Sequence, residues 1–191
     1  MSIGFLSNAQ EEILLMNGKH FKGMALDTAG VKVIFNIIKD NNKIKTKSFY
    51  RDEVFSINYD LQEKVFFSPD VYYFEEYTID NMRMVVNGRK DALYQFKTKW
   101  VLPVGFAVGA ASAIFMKGSI FTLLVPIAYT GVVQIPLIKI QKESISSPDF
   151  IGNGFYAEGY NRTARMKRTK HALLSSAVGV LSGLIVYEIA K

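Results

Sequence analysis

The chain has 191 residues, enough for one domain or a small domain with an appendage, and 49% of them are hydrophobic against 21% charged. That balance excludes a disordered tail, a collagen-like fibre and a charged coiled coil. With no cysteine and only two histidines, His20 and His171, disulfide scaffolds, iron–sulfur sites, thiol nucleophiles and an all-histidine metal site are excluded as well.

The formal charge of +6 is unevenly spread. Residues 1–99 carry 14 Lys/Arg and 13 Asp/Glu, whereas residues 100–191 carry 9 and 4. Between residues 100 and 138 the only charge is Lys117, a composition boundary that marks a change of solvent from water to lipid. The expected architecture is therefore an α+β membrane protein: a small N-terminal β-barrel over residues 10–70, a connector over 71–99, a transmembrane helical hairpin over 100–138, a polar basic loop over 139–171 and a third apolar helix over 172–190.

Residues 1–9 end in Phe5-Leu6-Ser7-Asn8-Ala9, which reads as the tail of a signal peptide but lacks a basic start. Ile13–Met16 and His20–Asp27 then flank Asn17-Gly18, a two-residue hairpin signal in which both turn positions need positive φ. Val31, Val33, Phe35 and Ile37 alternate with Lys32, Ile34, Asn36 and Ile38, the period of a strand. Asp40-Asn41-Asn42 reads as a turn, and Lys43, Lys45 and Lys47 share one face that must be wet. Phe55, Ile57 and Tyr59 alternate again, and Lys64–Phe67 adds a short strand. Short strands joined by tight turns predict a closed barrel, which leaves no edge exposed.

The run from Ile13 to Gly23, a hydrophobic strand, an Asn-Gly turn and a glycine in the next strand, resembles the opening of Sm-like barrels. The resemblance implies a fold and not RNA binding. Asp27-Thr28-Ala29-Gly30 and Val54-Phe55-Ser56-Ile57 stand where the RNA-reading motifs would lie. Residues 10–70 also hold nine basic and nine acidic side chains, where a nucleic-acid surface needs an excess of cations.

Val71–Tyr77 reads as one more strand, and Thr78 as the N-cap of a helix with Asp80 in its first turn. Met82, Val85, Val86, Leu93 and Phe96 recur at helical spacing, and Asn87-Gly88 predicts a break or kink among them. Trp100–Met116 and Ser119–Ile138 give 17 and 20 apolar residues joined by a turn at Lys117-Gly118, with Pro126 expected to kink the second span. Gly105 and Gly109, like Gly179 and Gly183, fit GxxxG, the spacing that lets helix backbones approach in lipid. Two readings stand: the spans pack on each other, or they assemble a homo-oligomer.

Arg162, Arg165, Lys167, Arg168 and Lys170 fall within nine residues that hold no acid and lead into Ala172–Ala190. Such a cluster attracts anionic lipid headgroups at about 1 kcal/mol per charge, or else sets topology alone. Asn161-Arg162-Thr163 is a glycosylation sequon, and Gly152–Ala157 fits GxGxxA outside any βαβ unit and is set aside as a dinucleotide site. Paired carboxylates, a histidine-centred constellation and a phosphate loop are all missing from the sequence, so no catalytic, cofactor or metal site is expected. Asp80, Asp91 and Glu158 read as caps and surface charges.

The stretches Glu53–Tyr59, Gly88–Phe96 and Tyr156–Arg168, in this order around apolar helices, resemble uncharacterised envelope proteins of Bacteroidota-type bacteria. That resemblance implies export of the N-terminal domain and adds no activity. The positive-inside rule places the same domain in the cytoplasm, because it shares a face with the basic stretch. The function expected is a non-enzymatic, membrane-anchored adaptor or accessory subunit with a protein partner, most simply in the inner membrane. The alternative is a small oligomeric pore or transport accessory protein built on the GxxxG helices.

Overall fold

The computed structural model describes residues 11–39, 43–59, 62–69, 77–117 and 119–190. The expected signal-peptide tail over 1–9, the turn at Asp40-Asn41-Asn42, most of the strand Val71–Tyr77 and Gly118 lie outside them. The chain divides into two compact units, one formed by residues up to Asp91 with Ser147–Tyr160, the other by Ala92–Ser146 with Asn161–Lys191.

The first unit is built on an antiparallel sheet of six strands: β1 (Glu11–Leu15), β2 (His20–Asp27), β3 (Lys32–Ile38), β4 (Ile44–Tyr50), β5 (Val54–Tyr59) and β6 (Gln62–Val65). Their order is β4-β3-β2-β1-β5-β6. The expected closed barrel is not what forms. β4 and β6 are the edges of an open sheet among the described residues: the 3₁₀ turn Arg51–Glu53 leads from β4 to β5, but β4 pairs with β3 alone and β6 with β5 alone.

Alternation fills one core with Ile13 and Leu15 of β1, Val33, Phe35 and Ile37 of β3, Phe49 of β4, and Val54 and Ile57 of β5. A bulge between Leu14 and Leu15 shifts the β1–β5 register, which lets Val54 and Ile57 join one cluster although they stand an odd three positions apart. Lys45 and Lys47 pair across from Ile37 and Phe35, so the lysine face lies on the core side of β4. These lysines stay wet by snorkelling at the sheet edge, and the Lys47 ammonium sits 5.0 Å from the centre of the Phe21 ring.

Asn17-Gly18 does form the β1–β2 hairpin, with a different turn. Gly18 N donates to Leu15 O (2.9 Å) and Leu15 N donates to Lys19 O (2.8 Å), which makes Met16-Asn17-Gly18 a three-residue loop. Only Gly18 takes positive φ, at 82°, in the bulge position of such loops.

Helix α1 (Ile79–Gln95) opens as the sequence predicts, with Asn81 N donating to Thr78 Oγ1 at 3.2 Å. It runs unbroken through Asn87-Gly88 because Gly88 is a contact point: a Cβ there would stand 2.2 Å from Tyr156 O. The polar side of α1 docks on the sheet through Arg83–Glu63 (2.5 Å), Lys90–Glu12 (3.6 Å) and a bond from Arg89 Nη1 to Met16 O (2.6 Å).

Asp91, expected as a surface charge, is 3% exposed and accepts a hydrogen bond from the Tyr156 hydroxyl at 2.7 Å. Burial raises the Tyr156 phenol above the ordinary tyrosine range, and its bond to the Asp91 carboxylate raises it further. An unfolded tyrosine ionises near pH 10, so this group contributes stability below that pH and loses it as the pH climbs. The gap in melting temperature between the parent and Tyr156→Phe should therefore narrow from pH 9 to pH 11. A constant gap would mean that Tyr156 is not held neutral by its site.

The second unit contains α2 (Val101–Phe115), a 3₁₀ stretch (Ile120–Leu124), α3 (Val125–Gln134) and most of α4 (Gly154–Ile189). Helix α4 has 36 residues, about 54 Å of helix, and contributes to both units. It begins well inside the expected polar loop, with Asn153 Oδ1 capping Tyr156 N at 3.0 Å. The basic cluster is thus helical. The sequon lies inside that helix, with Thr163 buried.

The hairpin of two full spans is not formed. α2 has 15 residues, and the second span is divided between a 3₁₀ stretch and a ten-residue helix. Pro126 starts α3 instead of kinking a longer helix, since its missing N–H costs nothing in the first turn. Among the described residues α4 alone is long and apolar enough to cross a membrane, and 28% of its most apolar window is buried.

Candidate functional site

In the second unit the usual distribution of side chains is reversed. The buried residues of α2 are Gly105, Gly109 and Ala113. Leu102, Val104, Phe106, Val108 and Ile114 are exposed, and Phe115 is 84% exposed. α4 repeats the pattern, with Ser175, Ser176 and Val180 buried and Leu174, Val178, Leu181, Ile185 and Val186 outside.

The four GxxxG glycines meet along one seam. A Cβ on Gly109 would stand 2.2 Å from Ser176 O, and one on Gly179 the same distance from Phe106 O. Gly105 faces the Ser175 hydroxyl, and a Cβ on Gly183 would lie 2.4 Å from Ala110 O. Backbone therefore meets backbone between α2 and α4. α3 joins this seam through Tyr129, whose hydroxyl donates to Val101 O at 2.9 Å.

Hydroxyls in these apolar helices turn back on their own backbone. Ser112 bonds Gly109 O (2.7 Å), Thr130 bonds Pro126 O (2.6 Å), Ser176 bonds Ala172 O (2.7 Å) and Ser182 bonds Val178 O (2.9 Å). A helix so satisfied asks nothing of its solvent.

Comparison with protein-family models, with curated proteins and with solved structures finds no match to this chain. The site is accordingly read from its own chemistry.

The five cations of the basic cluster do different jobs. Lys167 Nζ donates to Leu93 O (2.6 Å) and Phe96 O (2.8 Å), closing the C-terminal end of α1. Burial pushes this ammonium below the usual lysine range, but the two carbonyls it serves need a proton donor. Arg168 Nη1 donates to Val133 O (3.2 Å) in the last turn of α3 and to Pro136 O (2.7 Å) just beyond it, and its guanidinium lies 5.8 Å from the centre of the Phe96 ring. Arg162, Arg165 and Lys170 are exposed, with no partner among the described residues.

The sequence treats these five charges as equivalent; the fold assigns two of them to helix ends. It also brings in residues that no motif marks. Gln134 Nε2 donates to Thr169 Oγ1 and to Arg165 O (3.4 Å), tying α3 to α4. The Thr98 hydroxyl and His171 Nδ1 lie 2.5 Å apart. Such tertiary pairs have no sequence spacing that could announce them. No group of three metal-ligating side chains gathers among the described residues.

These roles predict unequal mutants. Lys167→Met should destabilise the helical unit by about 1–3 kcal/mol, because two carbonyls lose a charged donor. Arg162→Met should change stability by less than about 0.5 kcal/mol. Unfolding both variants by denaturing detergent measures the difference, and equal losses would refute the capping role.

Proposed function

We propose that this chain is a non-enzymatic, membrane-anchored adaptor of a bacterial envelope complex, whose sheet domain contacts a protein partner. One observation carries the reading: α2 and the apolar part of α4 turn Gly105, Gly109, Ala113, Ser175, Ser176, Gly179 and Gly183 inward and leave most of their leucines, valines and phenylalanines exposed. In water that arrangement forfeits the hydrophobic gain of most of the large side chains. In lipid, where hydrocarbon is as apolar as leucine, close packing of small residues is what associates helices.

The unpartnered Arg162, Arg165 and Lys170, beside the apolar part of α4, favour an anionic inner-membrane surface. The positive-inside rule then favours the cytoplasmic side for this basic flank. The likeness to Bacteroidota-type envelope proteins supports the compartment and not the activity. The oligomeric pore rested on GxxxG surfaces free to meet another copy, and here those glycines are taken up within the chain.

Two experiments test the reading. Membranes from cells of the native host should keep the protein through an alkaline carbonate wash, and release into the wash would overturn the anchor. A photo-crosslinking residue at exposed Met24 or Ile44 should then yield a discrete adduct with a different protein. A ladder at multiples of 21.5 kDa would instead favour the oligomer.

A further inference from the structure

Between α3 and the middle of α4 runs an open groove of about 600 Å³. Gly131, Met166 and Leu173 supply its apolar surface, with Thr130 and Thr169 beside them. Arg165 and Lys170 line it too, both exposed. At about 100° per residue, these two cations flank the stripe Met166, Thr169 and Leu173 on opposite sides. The groove is polar-rimmed toward the start of α4 and apolar toward the part of α4 fit to cross a membrane. Its walls are fixed, because Gln134 ties α3 to Arg165 O and Thr169. Gly131 is open, as a Cβ built there meets nothing within 4 Å.

We propose that this groove seats one anionic phospholipid, its phosphate between Arg165 and Lys170 and an acyl chain along Gly131, Met166 and Leu173. The occupant follows from complementarity. Two cations with no acid beside them call for an anion, and the apolar floor running from them calls for a chain attached to it. A free phosphate would leave the floor bare, and a neutral lipid would leave the cations unanswered. This goes beyond diffuse attraction of a basic cluster to a bilayer, since it names two of the five cations and excludes the three others. It rests on the reading of the chain as a membrane protein.

The full chain, delipidated in mild detergent, is titrated with phosphatidylglycerol or phosphatidylcholine of identical acyl chains, and bound lipid is counted by native mass spectrometry. One phosphatidylglycerol should bind in preference to phosphatidylcholine. The double variant Arg165→Gln with Lys170→Gln should weaken that binding about 30-fold, at the usual worth of a surface cation toward anionic lipid. Gly131→Leu should weaken it as well, by filling the groove with all charges kept. Arg162→Gln, one turn away and outside the groove, should not. Equal binding of the two lipids overturns the proposal, as does a loss with Arg162→Gln matching that of the double variant, or intact binding in Gly131→Leu. Helix content checked by circular dichroism separates a filled groove from a failed fold, and the double variant touches only exposed side chains. Release by carbonate would sink the membrane reading itself; retention without selective lipid binding would sink this site alone.

Discussion

Gly109→Ala is expected to destabilise the helical unit by about 3 kcal/mol, at the upper end of overpacking costs. The added methyl would stand 2.2 Å from Ser176 O and 2.9 Å from Val180 N, and both are backbone atoms of a helix that cannot move alone. Separating α2 from α4 by the width of a methyl would also break the contacts at Gly105, Gly179 and Gly183 on the same seam. Lipid offers no compensation, because the uncovered surface gains nothing by being hidden again. Gly131→Ala is the matched control: the same substitution in open space should be neutral or stabilise the helix by up to about 1 kcal/mol. Unfolding both variants in mixed micelles compares them directly. An unchanged midpoint for Gly109→Ala would mean that the two helices do not touch there.

In the sheet, Gly23→Ala should cost about 3 kcal/mol or more. Its Cβ would fall 1.8 Å from Asn36 O on the neighbouring strand and 2.8 Å from the Phe35 ring. Neither neighbour can yield cheaply. Asn36 belongs to the β2–β3 ladder beside the pair Gly23–Ile37, and Phe35 is fully buried in the core. Relief would require β2 to move away from β3, exposing Phe35 and Ile37 together. Gly30→Ala, whose nearest neighbour would be Lys32 O at 3.8 Å, should be tolerated. Thermal melting followed in the far ultraviolet distinguishes them, and similar melting temperatures would mean that the sheet can open at Gly23 without loss.

How much was legible depends on the range over which each residue acts. Thr78 as a cap, the β2 span His20–Asp27 and the alternation through β3 depend on neighbours a few residues away, and these appear as read. Asn17-Gly18 placed the hairpin but not its turn type, because Asn17 keeps negative φ once Gly18 alone takes the bulge. The site divides in the same way. A basic stretch beside an apolar one can be read from composition, whereas the division of labour within it cannot. Lys167 and Arg168 differ from Arg162, Arg165 and Lys170 only because the carbonyls at Leu93, Phe96, Val133 and Pro136 come to rest beside them.

By itself the sequence determined the strands, the apolar blocks, the boundary between the acidic–basic half and the uncharged stretch, and the spacing of four small residues. Each follows from local backbone sterics or from the cost of placing a charge in hydrocarbon, which any 20-residue window expresses. Only the tertiary structure decided that the sheet stays open, that Gly88 continues a helix it was expected to break, and that Pro126 begins one it was expected to bend. The same holds for Asp91, read as a surface carboxylate and found beneath Tyr156. At Gly88 and Asp91 the outcome was set by Tyr156, a residue from a distant part of the chain. Glycine costs a helix about 1 kcal/mol in isolation, and close packing against another backbone more than offsets that cost at Gly88.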